Sequence, residues 1–206
     1  TNVIGWTLKK LGEFLNKHPD EYMEKQREAA VRAVDALENL ADRFAPLASR
    51  TFRRGQRTAV LEECIERALD LFSGEINRLG VRVESPGKTR TEVRIDPGEL
   101  ESVLINLVSN ALYWLGKKEG RLLAFRLERS QDNKRVTVYV DDSGPGVPPE
   151  DADRIFWPGV TRKPGGIGMG LTVASEIVAE HGGKMALIQP GVLGGATFCF
   201  DLPART

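Results

Sequence analysis

The chain has 206 residues, 41% of them hydrophobic, and its 29 lysines and arginines equal its 29 aspartates and glutamates. A formal net charge of zero argues against bulk nucleic-acid binding, which needs a basic stripe. No apolar run reaches the roughly eighteen residues that would cross a bilayer, and the length suits one large domain or a smaller one with an extension.

Taken in order, Lys9, Lys10 and Glu13 interrupt any signal-peptide core near the start. Ile4, Leu8, Leu11 and Leu15 recur at helical spacing. His18-Pro19-Asp20 breaks that pattern, because proline does not continue a helix and aspartate caps the next one. Two heptad positions follow, Met23, Ala30, Leu37 and Phe44 beside Gln26, Ala33, Leu40 and Leu47. Residues 1–52 therefore read as a helical hairpin with a narrow seam. A homodimeric four-helix bundle would close that seam; packing on the chain's own domain is the alternative. Pro46 and the cluster Arg50, Arg53, Arg54 and Arg57 mark a linker.

From residue 58 the pattern changes to mixed helix and strand. A helix is predicted from Thr58 to Leu79, with Leu61, Ile65, Ala68, Phe72 and Ile76 on one face and Gly80 as its stop. Strands are predicted over 81–84 and 92–95. Asp96-Pro97 then caps and opens a helix to Leu115, whose stripe includes Leu100, Val103, Leu104, Leu107, Val108, Ala111 and Leu112. Asn106 and Asn110 sit one turn apart on the edge of that stripe. Asparagine is a poor helix former, so the pair either bonds neighbouring backbone or supplies neutral oxygen ligands to a hydrated Mg²⁺ and its phosphates. Strands over 122–129 and 135–141 flank a polar hairpin loop. Residues 147–165 hold four prolines and read as a helical turn around Asp151 to Phe156 followed by a lid. A helix from Leu171 ends at His181, and strands over 184–189 and 196–202 close the chain. Cys64 lies on a helical stripe and Cys199 in the last strand. Both read as reduced core or near-core residues of a cytosolic protein.

Two stretches carry the chemistry. Asp141-Asp142-Ser143-Gly144-Pro145-Gly146 is an acidic turn after a buried strand, and the Asp142 carboxylate can accept a hydrogen bond from an exocyclic amine such as that of adenine. Gly165-Gly166-Ile167-Gly168-Met169-Gly170 opens directly into a helix at Leu171, where unpaired N–H groups and a partial positive charge suit a phosphate.

In this order the motifs resemble the ATP-binding domain of sensor histidine kinases, in the superfamily that includes gyrase B, a heat-shock chaperone and mismatch-repair ATPases. The resemblance covers about residues 58–206. Asn106-Leu107-Val108-Ser109-Asn110-Ala111 resembles the asparagine box and Asp142-Ser143-Gly144-Pro145-Gly146 the first glycine box. Ile155-Phe156-Trp157-Pro158 is similar to the phenylalanine box. Thr161 to Gly166, with Gly168, Gly170 and Leu171, is similar to a short-lid second glycine box, and Gly194 to Phe198 to the closing glycine-threonine motif. The implied fold is α+β: a two-layer sandwich, the Bergerat ATP-binding fold, with a mixed sheet covered on one face by helices and a helical hairpin in front.

The resemblance also implies roles. Asn110 would be the principal Mg²⁺ ligand with Asn106 assisting, and Asp142 would read the adenine amine. Gly144 and Gly146 would pass close to the base. Lys163, with Arg162, would reach the β- and γ-phosphates of ATP, and Gly166, Gly168 and Gly170 would offer amides to them, with Met169 and Leu171 completing that wall. Thr197 would hold Asp142 or a water near adenine. Tyr113 stands where a lysine or arginine is common, Trp157 where an acid is common, and Gly159-Val160 where two phenylalanines are common. Asn106 stands where water-activating members place a glutamate, which favours transfer to a protein side chain over hydrolysis.

The implied activity is ATP-dependent phosphorylation of a histidine, with relay to a response-regulator receiver domain. Neither His18, in a turn, nor His181, in a last helical turn, fits the acceptor. The expectation is a cytoplasmic fragment of a longer protein, itself membrane-anchored or not, with the acceptor upstream of residue 1. The reading from another class is a non-catalytic nucleotide-sensing module of the same fold.

Overall fold

The computed structural model describes residues 58–87, 89–116 and 119–205. The chain divides into two units, and every described residue falls in the second, Gly55–Thr206. The hairpin expected over 1–52, with His18, lies outside the described residues.

Strand β1 (Ala59–Val60) runs straight into helix α1 (Leu61–Leu71). The single helix expected over 58–79 is instead two, because the backbone leaves helical geometry at Phe72 (φ −103°, ψ 10°), just before Ser73-Gly74. Helix α2 (Ser73–Leu79) then stops at Gly80, which takes a left-handed conformation (φ 63°) as expected of a glycine there. Ala59 and Val60, near the start of the expected helix, are strand because they pair antiparallel with β3 (Glu92–Val93), at Ala59 against Val93.

Helix α3 (Pro97–Leu115) has the predicted bounds. Asp96 caps it, its Oδ1 accepting from Gly98 N at 2.9 Å. Leu100, Leu104, Leu107, Leu112 and Leu115 are fully or almost fully removed from solvent, and each such side chain contributes about 1.5–3 kcal/mol of burial free energy. This helix lies centrally, packing against both α1 and α5 (Gly170–Glu180).

The main sheet has five strands in the order β2 (Arg82–Glu84), β4 (Leu122–Arg129), β5 (Arg135–Asp142), β7 (Thr197–Pro203) and β6 (Met185–Ile188). Only the β2–β4 pair is parallel, so the sheet is mixed as expected. Side chains alternate across it. Phe125, Val138, Val140, Phe198, Phe200 and Leu202 share one register face and are all buried. On the other face Arg126 lies over the Tyr139 ring at 4.4 Å. The remaining helix, α4 (Pro149–Ala152), is one turn long. Among the described residues no helix is long and apolar enough to cross a membrane.

Candidate nucleotide-binding cleft

A cleft of about 710 Å³, counted to its open mouth, lies between α3, the turn after β5, α4, the lid, the first turn of α5 and the start of β7. Asn110, Ala111 and Trp114 come from α3; Asp142, Gly146, Val147 and Pro148 from the turn; Val160 to Lys163 from the lid; Leu171 from α5.

Asp142 ends β5 and is 5% exposed. Its Oδ1 accepts from Gly144 N at 2.8 Å and from Ala196 N at 3.3 Å, so two backbone amides fix the carboxylate in place. The fit depends on Gly195. A Cβ there would stand 2.4 Å from the Asp142 carbonyl oxygen and 2.5 Å from Oδ1. Gln189 steadies the same turn, its Oε1 accepting from Val147 N at 2.7 Å. Sequence reasoning missed Gln189 because its partner is 42 positions away.

Thr197 opens β7. It pairs with Asp141 in the β5–β7 register, and its hydroxyl donates to Asp141 Oδ1 at 2.5 Å. Arg126 also holds Asp141, through Nε at 2.7 Å. Adjacent strand residues face opposite ways, so Asp141 and Thr197 share the reverse side of the sheet while Asp142 faces the cleft. The residue of the closing motif that lines the cleft beside Asp142 is Ala196.

At the other end Asn106 is buried and Asn110 lines the cleft. Asn106 makes the bond to neighbouring backbone that one of the two expected readings describes. Its Nδ2 donates to Ser102 O at 2.8 Å, one turn back along α3. Its Oδ1 faces the start of α5, where a Cβ on Gly170 would come within 2.7 Å of it. Helix α5 has no side-chain cap at Met169 and no acidic residue in its first turn, the electrostatic setting that favours an anion. Among the described residues no cluster of three or more His, Cys, Asp or Glu side chains could hold a metal. A cation here would have neutral amide oxygens and the phosphates it arrives with, a donor set that suits Mg²⁺.

The lid closes on itself at its base, with Gly159 N donating to Gly168 O at 3.1 Å. Its two cations have different anchors. Arg162 donates to Asp151 and, through Nη2, to Glu150 Oε1 at 2.8 Å, both on α4. The Arg162 hydrogen bond holds the Asp151 carboxyl below its ordinary pKa. Arg162 thus lines the cleft and ties the lid to α4. Gly166 N donates to Lys163 O at 2.9 Å, inside the lid. Lys163 Nζ lies 4.9 Å from the centre of the Tyr113 ring on α3. Trp157, in the phenylalanine-box stretch, is 59% exposed and is not a wall of the cleft. His181 caps the far end of α5, its Nε2 2.6 Å from Glu99 Oε2.

Residues 95–206, more than half of the chain, match the family described as histidine kinase-, DNA gyrase B- and HSP90-like ATPase. The chain belongs to this ATPase family, as the ATP-binding domain of a sensor histidine kinase. Over 187 residues it is 30% identical to the sensory histidine kinase/phosphatase NtrB of Escherichia coli O157:H7, covering 86% of this chain and 52% of that protein. It is 33% identical over 149 residues to the sensor histidine kinase ZraS of Salmonella typhimurium, covering 71% of this chain and 31% of the relative. The chain thus spans about half the length of NtrB. Among solved structures, the nucleotide-free catalytic domain of the histidine kinase ThkA is 30% identical with a TM-score of 0.61, covering 71% of this chain and 96% of that one. Full-length ShkA in complex with AMPPNP is 26% identical with a TM-score of 0.69, covering 90% of this chain and 38% of that one. The α+β fold expected of a kinase ATP-binding domain is the fold observed.

Proposed function

We propose that this chain binds ATP with Mg²⁺ in the cleft and serves transfer of the γ-phosphate to a protein histidine outside the described residues. The observation that carries the reading is Asp142. It is a buried carboxylate, fixed by two backbone amides, at one end of a cleft whose other end is an uncapped helix start flanked by Asn106 and Asn110. Such a carboxylate accepts the amine of adenine, and the amides of α5 receive the phosphates. Mg²⁺ would be held by Asn110, with Asn106 assisting, and would supply neutralisation of charge on the phosphates.

Phosphoryl transfer asks the protein mainly for positioning and charge stabilisation. Asn110 orients the phosphates, Lys163 brings a positive charge from the lid, and Trp114 and Ile155 help exclude water. Asn106 is an amide and does not act as a general base toward water. Both carboxylates lining the cleft among the described residues are engaged, Asp142 by amides and Asp151 by Arg162. Transfer to a side chain fits this site better than hydrolysis. The phosphorylated histidine would pass its phosphate to a receiver-domain aspartate, in a cytoplasmic homodimer joined through the N-terminal helices.

Calorimetric titration with ATP and ADP, with and without Mg²⁺, tests the reading. Saturable binding that Asp142→Ala abolishes is the expected result, and a longer chain carrying an upstream histidine should then become phosphorylated. No binding at millimolar nucleotide would overturn it. A second reading, a nucleotide sensor without transfer, is favoured by the engagement of Arg162 with α4. Asn110→Ala separates the two in the longer chain, since only the kinase has phosphorylation to lose.

A further inference from the structure

The turn after β5 is fastened to the sheet at its start. Asp142 N donates to Ala196 O at 2.9 Å and Ser143 N to Leu122 O at 3.0 Å, and the Ser143 hydroxyl accepts from Leu122 N at 2.9 Å. The second half of the turn lines the cleft with Gly146, Val147 and Pro148. It has few amides to be fastened by, because Pro145, Pro148 and Pro149 have no N–H. The Val147 amide is one of them, and it donates to Gln189 Oε1 at 2.7 Å. A Cβ on Gly146 would stand 3.3 Å from the same oxygen, so Gln189 meets two successive residues of the cleft wall.

Gln189 follows β6 directly and begins the loop that leads into β7. That loop is closed on itself, with Gly191 N donating to Gly195 O and Gly194 N to Gly191 O, both at 2.9 Å. Its far end carries Ala196, whose N–H reaches Asp142 Oδ1 at 3.3 Å. One closed loop therefore grips the turn twice, at Asp142 through Ala196 and at Val147 through Gln189.

We propose that Gln189 is a positioning residue for the nucleotide base: by holding Val147 it fixes the cleft wall relative to Asp142. This rests on the ATP-binding reading above and adds to it a residue that lies outside the cleft lining. A base bonded to Asp142 also packs on the wall beside it. A wall already held in place has less freedom to lose when the base arrives, and that saving appears as affinity. An amide suits the task, since it accepts from Val147 N without adding charge near the Asp142 carboxylate.

The test is calorimetric titration of the whole chain with ATP and Mg²⁺ and with adenosine, which lacks phosphates, beside urea unfolding of each variant. Gln189→Leu removes the acceptor and should weaken both ligands by the same factor, about three- to tenfold. Gln189→Glu keeps an acceptor on the same stem and should bind adenosine, which carries no charge, within about twofold of wild type. Affinities of the folded leucine variant equal to those of wild type, with or without a loss of stability, would overturn the proposal and leave Gln189 a structural residue. A loss confined to ATP would overturn it as well, because the effect would then lie with the phosphates. If the leucine variant does not fold, Gln189→Met, which keeps an unbranched stem without the amide, takes its place. Failure of the wild-type chain to bind either ligand would instead overturn the ATP reading and this proposal with it.

Discussion

Asp141 and Asp142 are neighbours in sequence with opposite fates. Strand alternation sends Asp142 to the cleft and Asp141 to the reverse face, where Arg126 and Thr197 hold it. Substitution should separate them. Asp142→Asn is expected to weaken ATP binding at least tenfold, because the amide turns part of an acceptor site into a donor. Asp141→Asn is expected instead to cost about 1–3 kcal/mol of stability by breaking a buried charged hydrogen bond. Calorimetry reads the first and urea unfolding the second. Gly195 gives a further residue-scale prediction. A methyl group there meets the Asp142 carbonyl oxygen at 2.4 Å and Gly144 N at 2.6 Å, and both are backbone that yields little. Gly195→Ala should therefore displace Asp142, lower ATP affinity at least tenfold and destabilise the domain by about 1–3 kcal/mol.

At the scale of elements, α1 is fastened by one carboxylate. Glu62, in its first turn, is buried and accepts from Thr91 N at 2.9 Å, Thr91 Oγ1 at 2.7 Å and Thr89 Oγ1 at 2.8 Å. Burial alone would raise its pKa, but the hydrogen bonds from Thr91 and Thr89 outweigh it and hold the carboxyl below its ordinary value of 4.5. Between the two values the unfolded chain binds more protons than the folded one, so stability rises with pH through that window. The contribution is complete above about pH 5 and is lost as pH falls below 4.5 through the lower folded value. Glu62→Gln should cost about 1–3 kcal/mol at pH 7, with the gap to wild type closing as pH falls below about 4. Denaturant unfolding at a series of pH values checks this. A gap of the same size at pH 3 and pH 7 would mean that packing rather than charge fastens the helix. The same helix carries Cys64, which burial raises to about 11; its thiol should stay unreactive to alkylation at pH 8 until the domain unfolds.

For the whole molecule, the cleft joins parts far apart in the chain, from Asn110 on α3 to Phe198 on β7. A ligand held by all of them binds the folded state alone and so stabilises the domain as a unit. At a hundredfold excess over Kd the gain is about 2.7 kcal/mol, a rise in Tm of roughly 5–10 °C for a domain of this size. Thermal unfolding with ATP and Mg²⁺ should show that rise, and the Asp142→Ala variant should show none.

The sequence by itself determined what depends on near neighbours. The stripe from Leu100 to Leu115, the Asp96 cap and the Gly80 stop are each local, and the structure has them where the sequence puts them. The β4–β5 hairpin is equally legible, since its strands alternate and its loop is polar. The two glycine-broken stretches, each joined to an ordered element, marked the cleft in the same way. Only the tertiary structure decided the pairing of β1 with β3 and the parallel run of β2 beside β4, because strands of two and three residues carry no usable period. It also decided which aspartate Thr197 holds, which carboxylates take Arg162, and that Lys163 rests on Tyr113. Register and ion pairing join residues distant in sequence; they are fixed by how whole elements pack, not by what any one stretch prefers.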